Sequence, residues 1–283
     1  MGASGSPWAH AGVACARVVS AAIAPKHRRA SQATVIPEKY NALVWWTLCV
    51  ALATLVAADS ERQSHTFTLP EGRAISIEVT VGSISIEGWD RPDAVVEIER
   101  HGPSREALTR LPVVIDESTS RVQVLIVQQG SEADPELRAD VRVRLPRRAL
   151  IERVQILEGK FTLVGFEGSV SADVRRGGIE ARNVAGTVRL ETGIGDVKMT
   201  GARLSAGGLL RLRTFNGDVQ LTLAERPVDA RLLVLALNGP IQSTIPLVMR
   251  DTWGPRWGEA TLGRGEPVIS IDVVTGRVEI RSP

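Results

Sequence analysis

Residues 210–221 read LRLRTFNGDVQL, and this stretch decides the fold. Leu210 and Leu212 alternate with Arg211 and Arg213, and beyond Gly217, Val219 and Leu221 flank Gln220. A period of two marks a strand with one face buried, so the stretch is strand, glycine turn, strand. The same unit returns as VRLETGIGDVKM at 188–199 around Gly195 and as ISIDVVTGRVEI at 269–280 around Gly276. It returns again at 170–181 around Gly177, at 154–163 around Gly159, at 232–245 around Gly239 and at 75–86 around Gly82. From Gly159 to Gly239 the turn glycines follow one another at intervals of 18, 18, 22 and 22 residues. Periods of roughly 20 residues belong to stacked repeats, because one such unit cannot bury its apolar side alone. Glycine recurs where the turn needs positive φ or a close backbone approach.

These units predict an all-β, single-domain β-solenoid over 65–282. Residues 248–267, which include Trp253 and Trp257 among glycines and prolines, read as an inserted loop. The strand pair at 269–281 then reads as the cap that closes the stack, since an open end is a bare sheet edge. The front, 65–146, reads as an irregular β lead-in with strands at 73–86, 94–100, 113–115, 121–128 and 141–145. Residues 104–111 carry one short helix with Ser104 as its N-cap.

Residues 42–58, ALVWWTLCVALATLVAA, carry no charge and follow Lys26, Arg28, Arg29 and Lys39. Positive residues on the N-terminal side keep that side in the cytoplasm. Two readings stand: a signal peptide cleaved after Ala58, or an uncleaved single membrane span. Both place the domain outside the cytoplasm, in the periplasm, secreted or at the cell surface. Membrane contact is expected only through 42–58, and only if the segment stays attached. Residues 1–41 read as a disordered leader or as a start codon assigned too far upstream.

Composition excludes several function classes. The net charge of +2, from 34 basic and 32 acidic residues, makes no field to attract nucleic acid. Aromatics at 4% count against base-stacking platforms and against sugar-binding grooves, which both rely on them. Both cysteines, Cys15 and Cys49, precede Asp59, so the domain has no disulfide to draw on. His65 and His101 stand alone, without the spacing of a zinc site.

Specific chemistry is sparse. The run Gly193-Ile-Gly195-Asp196 lacks the helix that a dinucleotide fingerprint opens and continues as strand, so it is a turn. Asp196 and Asp218 recur after their glycines, but one carboxylate per unit is too few for calcium, and each reads as stabilising its own turn. Asp173, Glu191 and Asp229 appear scattered, where a glycosidase needs two carboxylates on one face. Arg175, Arg176, Arg182, Arg189, Arg211, Arg213 and Arg231 read as solvated strand faces, since Glu180, Glu191 and Asp196 intersperse. Trp253, Trp257, Arg211 and Arg213 are the candidate partner contacts.

The chain resembles a bacterial domain family of unknown function labelled "putative adhesin". The resemblance rests on Gly88-Trp89-Asp90, on 141–146 (VRVRLP), on the turn at 214–218 (TFNGD) and on 273–280 (VVTGRVEI), and it spans about 66–281. It implies a β-solenoid behind a signal peptide or membrane span, and it brings no catalytic residues. The Gly-Asp turn is kept at Gly195 and Gly217, whereas Lys160, Gly178, Pro240 and Arg277 fill the place elsewhere. The expectation is a non-catalytic exported protein with an interaction or scaffold role toward an unknown envelope or surface partner, using no cofactor and no metal. The alternatives are a carbohydrate-active β-helix enzyme and a sensory or scaffold partner of an envelope stress system.

Overall fold

A computed structural model of the chain describes residues 59–130, 133–250 and 256–283. The leader, the apolar run with its cleavage site, both cysteines and Trp253 lie outside the described residues. Within them the chain is all-β, and nineteen strands form one large open sheet that does not close into a barrel. The front carries β1 (Asp59–Thr68), β2 (Ala74–Trp89), β3 (Asp93–Gly102), α1 (Arg105–Leu108), β4 (Val114–Glu117), β5 (Arg121–Ile126) and β6 (Arg138–Pro146). Next come β7 (Leu150–Val164) and four pairs: β8 (Ser169–Arg176) with β9 (Ile179–Arg182), β10 (Thr187–Ile194) with β11 (Val197–Ala202), β12 (Leu209–Asn216) with β13 (Val219–Leu223), and β14 (Ala230–Asn238) with β15 (Ile241–Ser243). The chain ends with β16 (Val248–Arg250), β17 (Arg256–Leu262), β18 (Val268–Thr275) and β19 (Val278–Arg281).

The turn glycines divide the sheet into two ladders. Before the glycines the order is β4-β5-β2-β7-β8-β10-β12-β18-β14-β17-β16. After them it is β1-β3-β6-β2-β7-β9-β11-β13-β19-β15. Strands β2 and β7 run through the turn and belong to both. Successive units pair in parallel and in register, which stacks like positions. In the first ladder Ile75, Ile151, Val170, Val188, Leu210, Ile269 and Leu232 form one buried column. In the second, Ile84, Phe161, Ile179, Val197, Val219 and Val278 do the same. Each such side chain contributes about 1.5–3 kcal/mol by leaving water, so the core is a set of aligned columns.

The line of turn glycines runs Gly82, Gly159, Gly177, Gly195, Gly217, Gly276, Gly239. A methyl group at Gly217 would overlap the carbonyl oxygen of Gly195, and φ there is +153°. Steric room and backbone conformation therefore both demand glycine. The spacing is fixed by backbone bonds: the Gly195 N–H donates to Asn216 O at 2.8 Å, and the Gly217 N–H donates to Thr275 O at 2.9 Å. Two buried hydroxyls, of Thr192 and Thr214, donate to the carbonyls of Gly177 and Gly195, each at 2.9 Å.

Several expectations need correction. The pair β18–β19 does not cap the stack. It slots between β12–β13 and β14–β15, pairing in parallel with both. Residues 248–267 are not a plain loop, because β16 and β17 lie there, and β17 runs antiparallel to β14 and closes that end of the first ladder. The lead-in begins earlier, with β1 from Asp59. It is continuous with the stack, since β2 pairs directly with β7. The short helix is present as α1, and the Ser104 hydroxyl accepts from Ala107 N–H at 3.1 Å.

Gly217→Ala is expected to lower stability by about 3 kcal/mol or more, read as a fall in the denaturant midpoint. Deleting 268–283 removes strands shared by two units. Loss of the cooperative melt is the expected result, whereas a dispensable cap would leave it largely intact.

Candidate functional site

The first ladder presents an outer polar face built from the residues that alternate with its core column. Because the register is continuous, these side chains fall into rows that cross the strands. One row runs Leu125, Glu78, Gln155, Asp173, Glu191, Arg213, Asp272, Leu235, Trp257. Beside it lie Gln123, Ser76 and Arg153 on β5, β2 and β7, and farther along Ser171, Arg189 and Arg211 on β8, β10 and β12. Asp173 and Glu191 are therefore not scattered. They are direct neighbours on adjacent parallel strands, and Glu78 is two strands from Asp173. Asp229 lies elsewhere, in the loop before β14. Its carboxylate accepts from the Arg264 N–H at 2.8 Å, which with the Arg264 guanidinium holds its pKa below the usual range.

The two halves of this face differ. Toward β12 and β14 the charges are spent on one another: Arg211 on Asp272 at 3.6 Å, Arg213 near Glu191 at 4.0 Å, and Arg231 on Glu259 at 3.0 Å. Toward the front lie two adjoining hollows of about 480 Å³ and 410 Å³ that share Glu78. The first holds Thr80, Gln155, Asp173 and Arg175, and the second holds Ser76, Gln123, Arg153 and Ser171. A β-bulge at Glu152 adds one residue to β7 against both neighbours and turns Glu152 and Arg153 toward the second hollow. Ser76, only 9% exposed, sits on its floor with a hydroxyl that has no hydrogen-bond partner among the described residues.

The sequence candidates separate on this map. Arg211, Arg213 and Trp257 share the outer face of the first ladder, with Arg213 and Trp257 in one row, but at the charge-paired end. The glycines are structural. Arg189 and Arg211 are in register neighbours, whereas Arg182 lies on the second ladder with Glu180. The turn aspartates do not serve their own turns. Asp196 Oδ1 accepts from the Asp218 N–H at 2.8 Å, and Asp218 Oδ1 accepts from the Arg277 N–H at 2.7 Å, so each carboxylate ties down the next unit. Sequence reasoning missed the front hollows because they depend on the bulge and on which strands β2 joins.

On the second ladder, Lys160 and Arg182 both donate to Glu180 and draw its carboxyl from 4.5 to about 2. A depressed carboxyl adds stability above its unfolded pKa and loses it as pH falls toward the folded value. Glu180→Gln is expected to lower the melting temperature at neutral pH. The difference from the parent chain should shrink below pH 4.5 and vanish near pH 2 in a melting series.

No family model matches the chain, and no curated protein matches it. Among solved structures it is similar to a "putative cell adhesion protein" from Clostridium sporogenes, with 12% identity, 80% of this chain and 100% of that chain covered, and a TM-score of 0.45. It is also similar to a "putative adhesin" from Bacteroides fragilis, with 10% identity, 78% and 97% covered, and a TM-score of 0.39. A "putative lipid binding protein" from Parabacteroides distasonis matches with 10% identity, 78% and 96% covered, and a TM-score of 0.25. The second carries the same label as the bacterial family that the strand-and-turn pattern resembles. Among the described residues no helix is long and apolar enough to cross a membrane.

Proposed function

We propose that the chain is an exported envelope or surface protein, a β-solenoid that offers the outer face of its first ladder to a partner without catalysing a reaction. Support for the solenoid is the parallel, in-register pairing of successive units, each contacting its neighbours through like positions. Support for export is the charge-free run 42–58 behind Lys26, Arg28, Arg29 and Lys39. The observation that carries the binding role is the register itself. Separate units contribute polar side chains to straight rows on one face, so a partner meets a rigid, repeated surface.

A second reading, a carbohydrate-active enzyme on the same scaffold, has one observation in its favour. Asp173 and Glu191 stand one strand apart. That is about 4.8 Å along the ladder, near the roughly 5–5.5 Å between the carboxyls of a retaining glycosidase. Arg213 is the cation closest to Glu191, and no ion pair engages Asp173 among the described residues.

A photo-crosslinking residue at Gln155, on the first ladder, and one at Gln220, on the second, test the role in cells. Adducts from position 155 in the extracytoplasmic fraction, with few from 220, are the expected result. Equal labelling from both positions, or a chain retained in the cytoplasm, sinks it.

A further inference from the structure

We infer that the two front hollows form a binding site for an extended, hydroxyl-rich glycan that runs across β5, β2, β7, β8 and β10. The inference rests on the binding role proposed for this face and names its ligand class.

The spacing selects the ligand. A chain crossing these strands meets an equivalent side chain every ~4.8 Å, the distance between neighbouring strands. One sugar ring in an extended glycan spans close to that length. An extended peptide advances only about 3.3 Å per residue, so it cannot set one residue against each strand. Nucleic acid is disfavoured by Glu78, Asp173 and Glu191, which would face its phosphates.

The functional groups agree. Vicinal hydroxyls both donate and accept, and the row Glu78, Gln155, Asp173 supplies acceptors and an amide donor at successive steps. Gln123, Arg153 and Ser171 lie beside them on the same face and line the second hollow. Among the described residues none of these six side chains is held in an ion pair, in contrast to the charged groups at the far end of the same face. Ser76 is the independent sign of a ligand. A buried hydroxyl without a partner costs stability, and Ser76 lines a polar hollow where a sugar hydroxyl that displaced the groups covering it would satisfy it. Few aromatics means recognition by hydrogen bonds instead of stacking, which is the kind of site these residues build.

The test uses the full purified chain in isothermal titration and affinity electrophoresis. The probes are cello-oligosaccharides and xylo-oligosaccharides as neutral chains and oligogalacturonates as acidic ones. Binding to either class, strengthening with each added sugar until the chain spans β5 to β10, is expected. The neutral chains are expected to bind better than the acidic ones, which Glu78, Asp173 and Glu191 repel. Asp173→Asn and Gln155→Ala should each weaken binding roughly tenfold, and Gln220→Ala, on the second ladder, should leave it unchanged. Ser76→Ala separates a ligand role from a structural one: affinity falls while the melting temperature holds or rises. Failure of every glycan to bind, or equal binding by the hollow variants and the parent, overturns the inference. If a crosslinker at Gln155 then captures an envelope protein, the glycan is wrong and the binding face stands. If it captures nothing, both fall. New reducing ends on a bound oligosaccharide, lost in Asp173→Asn, support the ligand class and overturn the non-catalytic reading.

Discussion

Backbone touches backbone at each turn glycine. Gly217 leaves no room for a side chain against the Gly195 carbonyl, and the same contact recurs along the line from Gly82 to Gly239. This approach sets the height at which each unit turns. Once heights agree, the flanking strands are in register, the core columns align, and so do the rows on the outer face. The geometry of the candidate site depends on that contact, although none of these turn glycines lines the hollows.

Polar side chains reinforce the contact. Thr192 and Thr214 satisfy carbonyls at the turn from inside, and Asp196 and Asp218 satisfy amides of the following turn from outside. A charge-assisted hydrogen bond to a backbone amide is stronger than a neutral one. Their position after glycine therefore has a structural cause in the neighbouring unit. At the other edge, Arg100 is buried and spans β1 and α1, donating to Glu61 at 2.6 Å and to the Leu111 carbonyl at 2.6 Å.

Legibility follows from the range of the forces involved. The glycine turns and their flanking strands were readable because alternation and turn chemistry are local. Strand β1 was not, because its first half, DSERQSH, has no apolar residue to alternate and is held by partners on β3 such as Glu97 for Arg62. Strands β16 and β17 hide in a stretch rich in glycine and tryptophan. The order of the last units was unreadable for a different reason. Units 232–245 and 269–280 have the same pattern, and only the tertiary structure says which one lies beside β12. The neighbourhood of Asp173 and Glu191 follows from unit-to-unit register, and that of Glu78 from β2 lying against β7, a contact between positions far apart in the chain.

The final segment's place inside the stack governs how the molecule assembles. A chain emerging from the ribosome or a translocation channel with its N-terminus first delivers β14 and β15 before their parallel neighbours exist. Until β18 and β19 arrive, β14 has only β17 to pair with and β15 has no strand partner among the described residues. The stack therefore cannot grow simply from one end. Its closure waits on the synthesis of β18 and β19, and a chain cut short of them carries an exposed strand edge that chaperones and proteases recognise.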